Sequence, residues 1–187
     1  MGFALAEALA EQGAEVILVT GPVNLEVSHT NITRTNVNTA EEMYVQCVNI
    51  FPKCNGAILA AAVADYRPEE VSSKKIKKTE SSEPLALRLI KNKDILAELG
   101  SIKKIGQVLG GFSLETHDEL KFAREKMERK NCDFIVLNSL NDEGAGFKTD
   151  TNKVTILSSK SQNINIELKK KKEVAEDIVN FMITNYF

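Results

Sequence analysis

The chain has no tryptophan, and aromatic residues make up only 6% of its 187 positions. Proteins that hold single-stranded nucleic acid stack its bases on aromatic faces in series, and this sequence has few to offer. Charge of one sign is also scarce. The formal net charge is −2, so no global basic field favours nucleic acid as a partner. Cysteine occurs three times, as Cys47, Cys54 and Cys132. An odd count without a C-x-x-C pair argues against a disulfide framework and against a zinc knuckle. The thiols read as those of a reducing cytoplasm. The histidines, His29 and His117, are far apart, which argues against a histidine metal centre. Long apolar runs are missing too. Glu7 and Glu11 interrupt the opening "MGFALAEALAEQGAEV", so it reads as neither a signal peptide nor a membrane span. Ala6 spoils a myristoylation pattern.

What is present suits one α/β domain over 1–187, since hydrophobic residues reach 43%. A helical pattern begins at the first residue with no cap before it, and Gly13 stands where a C′ glycine would stop it. Domains rarely start in mid-motif, so an upstream strand and loop are expected ahead of this helix. Strand and helix signals then alternate. "AEVILVTG" and Thr33–Val37 read as strands, and Thr39 with Glu42 forms a capping box for a helix to about Phe51. "GAILAAA" reads as a central strand, "KDILAEL" as a short helix, and "QVLGGF" as a buried strand. Thr116 with Glu119 predicts a second capping box, for a helix to about Lys130. "DFIVLNSL" is the next strand. "KVTILSS" and "NINIELK" predict an antiparallel hairpin. A last helix from about Lys170 carries Val174, Ile178, Val179 and Met182 on one face. The alternation predicts an α/β fold: a Rossmann-like, mostly parallel sheet with helices on both faces. "KIKK" and "LALRLI" predict a paired arm at about 74–91, outside that sheet.

Open α/β sheets bind ligands at the carboxyl ends of their strands. The strand before Thr20 and Gly21 ends without the acid that would hold a dinucleotide ribose. That speaks against an NAD(P)-dependent oxidoreductase, the first competing reading. "GAILAAA" ends in Ala61 and Ala62, with Ala64 just beyond, small enough for a ligand to approach the backbone, and Asp65 follows. Asp65 reads equally as a cap for the turn before Pro68 or as an acceptor for a sugar hydroxyl or a Mg²⁺ ligand on phosphates. Lys74, Lys75, Lys77 and Lys78 read as solvated surface or as an arm that closes over phosphates. Phe112 stands at a strand mouth, where it packs in the core or stacks on a base. Lys126 and Lys130 lie one helical turn apart. Asn138 ends another strand, where its amide could meet a substrate carbonyl.

These motifs occur in a fixed order: "AAVADYRP", "KIKK", "KNKDI", "GFSLET", "KMERKNCDFIVLN" and "GAGFKTDTN". In that order the chain resembles the phosphopantothenoylcysteine synthetase domain of bacterial coenzyme A biosynthesis over nearly its whole length. The resemblance implies a CTP-dependent ligase acting on 4′-phosphopantothenate and L-cysteine through an acyl-cytidylate, with Mg²⁺. It implies Lys75 as the catalytic lysine at the activated phosphate, and Asp65 at the nucleotide and its cation. It implies Ala60 and Ala61 as backbone contacts, and Asn92, Lys93, Asp94 and Ile95 along the cytidine pocket. Phe112 would face the base, and Lys126 and Lys130 the triphosphate. Gly2, Ala62 and Asn138 would sit on the substrate side. It further implies a homodimer built through the arm, a cytoplasmic location, and a flavin-dependent decarboxylase domain that is often fused upstream. The chain departs from many family members at Lys93, where they carry proline. A non-catalytic nucleotide-binding module is the second competing reading.

Overall fold

The structure is a computed structural model that describes residues 1–72, 74–76, 86–115, 117–139 and 149–187. Its centre is a five-stranded sheet. β3 (Gly56–Leu59), β6 (Val108–Glu115) and β7 (Phe134–Ser139) run parallel, and β8 (Thr151–Ser158) and β9 (Ile164–Lys170) extend the sheet antiparallel. β1 (Val16–Thr20) and β2 (Ile32–Asn36) form a separate parallel pair. The predicted carboxyl-terminal hairpin is β8–β9.

β7 shows why the sheet needs cover on both faces. Its Phe134 and Val136 point one way, and its Ile135 and Leu137 the other, all of them buried. On the first side they meet Leu5 and Ala8 of α1 (Gly2–Glu11) and Val174, Ile178 and Val179 of α5 (Lys171–Tyr186). On the second they meet Met43 of α2 (Ala40–Ile50), Leu99 of α3 (Ile95–Ile102), and Ala123 and Met127 of α4 (Glu119–Arg129). A parallel strand buried on both faces reads as a continuous apolar run, as "FIVL" does. Gly110 on β6 lets the Phe134 ring lie flat against the backbone, since a Cβ there would come within 2.2 Å of that ring.

Local signals account for most helix ends. Gly13 has φ +88° and follows α1 as a C′ glycine. The Thr39 hydroxyl accepts from the Glu42 N–H at 3.1 Å, and Glu42 Oε2 accepts from the Asn38 N–H at 2.8 Å. The Asp94 carboxylate caps α3 by accepting from the Ala97 N–H at 2.9 Å.

The structure departs from the sequence reading in several places. α4 has Asp118 as its N-cap, at φ +46°, and the Glu119 carboxylate accepts from the Ser139 hydroxyl at 2.6 Å. Thr116, the other half of the expected capping box, lies outside the described residues. β3 ends at Leu59 and stands at the edge of its sheet, not within it. The alanines after it have little strand preference to prolong it. β6 runs on past Phe112 to Glu115. β4 (Tyr66–Pro68) pairs with β5 (Leu89–Lys91), which takes in the end of "LALRLI", in antiparallel register. Arg67 fixes that pairing by donating to the Lys91 carbonyl at 3.2 Å. Lys77, Lys78, Leu85 and the "EGAGFK" stretch fall outside the described residues.

Candidate functional site at the strand ends

The start of α1 abuts the carboxyl end of β3. A Cβ on Gly2 would lie 3.9 Å from that of Ala60. From there a cleft of about 2280 Å³ opens between the β1–β2 pair and the five-stranded sheet. Small-ligand pockets usually hold roughly 300–1,000 Å³. The cleft therefore exceeds what one nucleotide needs. It combines a bowl at the strand ends with a slot between β1 and β3.

The bowl gathers most of the residues expected from the sequence. Gly2, Ala60, Ala61 and Ala62 line one wall, and Asp65 lies on the loop beyond them. Asn92, Lys93 and Asp94 face it from the segment before α3, and Phe112, Lys126 and Lys130 from β6 and α4. Ile95 also reaches the cleft, but it is a core residue beside Leu99. Two expected residues lie elsewhere. Lys75 is exposed and outside the lining of the cleft. Asn138 lies near the end of β7, where its Oδ1 accepts from buried Asn152 Nδ2 at 3.2 Å. Asn152 Oδ1 is itself buried without a partner among the described residues.

Backbone bonds fix the Asp65 loop in place. The Asn92 N–H donates to the Asp65 carbonyl at 2.8 Å, and Asn92 Nδ2 to the Ala64 carbonyl at 2.8 Å. Arg67 Nη1 donates to Asn92 Oδ1 at 2.9 Å. Asn92 is thus held by both its amide and its backbone, which leaves the Asp65 carboxylate on a fixed, exposed loop. Arg67 was not singled out from the sequence. Its place one residue before Pro68, in "ADYRP", was the available signal. Lys93 donates to Glu41 Oε1 at 2.5 Å and lies 4.6 Å above the Tyr44 ring. That side chain ties the loop to α2 where a proline would have stiffened it alone.

Cations converge on the bowl from α4. Lys126 Nζ donates to the Phe112 carbonyl at 2.8 Å. Lys130 pairs with the Asp94 carboxylate. Partial burial works to raise the Asp94 carboxyl. The hydrogen bonds from Lys130 and the Ala97 N–H, with the Lys130 and Lys126 charges, outweigh it and hold the group below its ordinary value. Asp94 and Lys130 therefore neutralise each other, while Lys126 and Arg129 share the rim with Glu115 and Glu125.

The donor set also suits a cation carried on phosphates. Among the described residues no group of three or more His, Cys, Asp or Glu side chains gathers to cage a metal. Mg²⁺ commonly takes one or two carboxylates, with substrate phosphates and waters completing its shell. Exposed Asp65, on the lining of the same cleft as Lys126, fits that division.

A mostly parallel sheet with a bowl of charged side chains at its strand ends defines a doubly wound α/β domain of the ligand-binding kind. The chain belongs to the DNA/pantothenate metabolism flavoprotein C-terminal domain family, whose model matches residues 1–186. It is 41% identical over 186 residues to the coenzyme A biosynthesis bifunctional protein CoaBC of Haemophilus influenzae, covering 100% of this chain and 45% of that protein. It is 51% identical over 185 residues to a cysteine/cysteine sulfinic acid decarboxylase of an unidentified prokaryote, covering 98% of this chain and 51% of that one. The chain thus spans about half the length of these relatives. The crystal structure of the C-terminal domain of a CoaBC matches with a TM-score of 0.79 at 33% identity, over 97% of this chain and 80% of that one. A Cab2 mutant in complex with phosphopantothenate-cysteine matches with a TM-score of 0.72 at 16% identity, over 98% of this chain and 76% of that one, a likeness of fold alone.

Proposed function

We propose that this chain is a ligase domain of coenzyme A biosynthesis, joining 4′-phosphopantothenate to L-cysteine at the expense of CTP. The observation that carries the reading is the bowl itself. Small-residue walls from β3, the fixed Asp65–Asn92 loop and the α4 lysines converge at the strand ends, in a chain 41% identical to a CoaBC.

In the first step a carboxylate oxygen of phosphopantothenate attacks the α-phosphorus of CTP. An acyl–O–P bond forms, the α–β phosphoanhydride breaks, and pyrophosphate leaves. In the second, the cysteine amine attacks the acyl carbon, the acyl–O bond breaks, and CMP and a proton depart. Charge builds on phosphate oxygens in the first step, and preoriented cations stabilise it there. Lys126 is already oriented by the Phe112 carbonyl, and Lys130 by Asp94. Mg²⁺ held with Asp65 would add Lewis-acid stabilisation of the same charge. The alanine wall from Ala60 to Ala62 lets the nucleotide approach backbone groups closely. Lys75 is assigned to the activated phosphate, and the exposed arm residues must bring it there.

The same arm presents Leu87 and Leu89 with more than half their surface exposed. We assign that apolar face to a second copy of the chain, giving a homodimer. Among the described residues no helix is long and apolar enough to cross a membrane.

The test is pyrophosphate release from CTP, phosphopantothenate and cysteine by the full-length protein. Lys75→Gln should lower kcat by roughly 10²-fold or more, the scale of losing one transition-state contact. Near wild-type turnover would remove Lys75 from the chemistry. Release of CO₂ from cysteine without any need for CTP would replace the ligase reading with that of a decarboxylase.

A further inference from the structure

No hydrogen bond or ion pair among the described residues engages the Asp65 carboxylate. Its place is therefore set by the backbone that carries it. Two bonds hold that backbone, and both come from Asn92. The Asn92 N–H donates to the Asp65 carbonyl, and Asn92 Nδ2 to the Ala64 carbonyl. The second bond depends on which way the amide faces. A side-chain amide has a donor end and an acceptor end, and a half-turn exchanges them. Here Nδ2 faces Ala64, and Oδ1 accepts from Arg67 Nη1 at 2.9 Å. The half-turn would set Oδ1 against the Ala64 carbonyl and Nδ2 against the guanidinium. A guanidinium carries donors only, so it rejects that arrangement and selects the observed one. Arg67 is itself kept within reach of Asn92. Pro68 confines it to extended backbone. Pairing of β4 with β5 sets it opposite Ile90, and its Nη1 also donates to the Lys91 carbonyl at 3.2 Å.

Ala64, Asp65 and Asn92 line the cleft, and Arg67 does not. Any effect of Arg67 on a ligand in the bowl must therefore pass through them. We propose that Arg67 is a positioning residue for the nucleotide's cation. By selecting the orientation of the Asn92 amide, it fixes the Ala64–Asp65 backbone. That in turn fixes the point in the bowl where Asp65 offers its carboxylate to a divalent cation carried on phosphates. This role rests on the assignment of the cation to Asp65 proposed above, and it names the residue that keeps that carboxylate in place. What Arg67 supplies is an N–H donor aimed at Oδ1. Its charge is not required, because Oδ1 is a neutral acceptor that any well-placed donor satisfies. In this it differs from Lys126 and Lys130, which act on a phosphate through their charge.

The test separates donor from charge. Arg67→Gln and Arg67→Met both remove the charge, and only glutamine keeps a donor for Asn92 Oδ1. Calorimetry measures the Kd of CTP with Mg²⁺ present and with the metal chelated. In the wild type Mg²⁺ should tighten CTP binding. Arg67→Met should lose roughly tenfold or more of that tightening, the usual cost of removing a group that orients a metal ligand, and Arg67→Gln should stay within about threefold of the wild type. With the metal chelated, all three should bind CTP alike. Amide exchange at Asn92 reads the clamp with no ligand present. It should quicken in Arg67→Met and not in Arg67→Gln, while exchange at the core residues Ile135 and Val136 stays equal in all three. Equal losses in both variants would make the charge of Arg67 its active feature and overturn the proposal. Wild-type behaviour of Arg67→Met would do the same. Asp65→Asn tells the two possible failures apart. If it keeps the Mg²⁺ tightening, or the wild type shows none, the assignment of the cation to Asp65 fails and the role of Arg67 fails with it. If Asp65→Asn abolishes the tightening and Arg67→Met does not, the positioning role alone fails.

Discussion

Gly100→Ala sets two opposite effects against each other, and the structure decides between them. Gly100 lies inside α3, where alanine is favoured over glycine by about 1 kcal/mol from helix propensity. On that ground alone the variant should be more stable. Gly100 is also the point where α3 meets the end of α4. A Cβ there would come to 1.9 Å from the Lys130 carbonyl oxygen and 2.9 Å from its carbon. Ordinary contact begins near 3.4 Å, so the helices must part by about 1.5 Å. The obstacle is backbone, which cannot turn aside as a side chain can. Overpacking of this kind costs about 1–3 kcal/mol and more where backbone must move. The Asn131 Nδ2 bond to the Gly100 carbonyl, 2.8 Å long, would stretch with it, at a further cost of about 1 kcal/mol. The expected net loss is about 1–3 kcal/mol. For a chain of this size that lowers Tm by roughly 2–12 °C. Calorimetric melts of the wild type and the variant measure it. Gly21→Ala is the control, because nothing lies within 4 Å of its Cβ and its φ is not positive. A Gly100→Ala Tm at or above that of the wild type would refute the close approach of α3 to α4. It would also remove the packing that sets Lys130 beside Asp94.

Three further outcomes follow from named contacts. The Asp94 carboxyl is held below its ordinary value of 3.8, so the stability it contributes is full above that pH and lost as pH falls through the depressed value. Asp94→Asn keeps a cap acceptor but not the charge. Its acid-unfolding curve should fall less steeply below pH 3.8 than that of the wild type, and identical curves would discount the Lys130 pairing. Burial pushes the Cys132 thiol up to about 12. A thiol reagent at pH 8 should therefore label Cys132 only on unfolding, and stoichiometric labelling of native protein within minutes would contradict its burial. Asp133 Oδ2 accepts both from Lys103 Nζ at 2.9 Å and from the Leu109 N–H at 2.7 Å. Asp133→Ala leaves an ammonium and a strand N–H without it, so urea unfolding should show a loss of about 2–4 kcal/mol. A loss under 1 kcal/mol would mean that water replaces the carboxylate at little cost.

What was legible in the sequence follows the range of the interaction that fixes it. β7 was readable because four consecutive apolar residues admit only a strand covered on both faces. α2 and the C′ glycine after α1 were readable because a cap acts within a few residues. The Glu119–Ser139 contact was not legible, because it joins a helix start to the next strand and sequence spacing cannot register such a partner. The β4–β5 pairing was not legible for the same reason: Arg67 reaches Lys91 and Asn92 across more than 20 residues.

The bowl combines both kinds of case. Its residue types were legible as ordered motifs, but its state of charge was not. Read singly, Asp94, Lys93 and Lys130 are a carboxylate and two free ammonium groups awaiting a nucleotide. In the fold, Lys93 is held by Glu41 and Tyr44, and Lys130 and Asp94 hold each other. A triphosphate arriving at this rim would have to compete with Asp94 for Lys130. The pair is half-buried, with 14% of the Lys130 side chain exposed, so only a ligand that offers Lys130 an equally strong charge-assisted bond, as a phosphate does, replaces Asp94 there. Lys126 differs, because its partner is a neutral carbonyl that a phosphate need not displace to gain a second bond. If the bowl takes a triphosphate, Lys126 therefore makes the first contact, and Lys130 joins only once Asp94 is released.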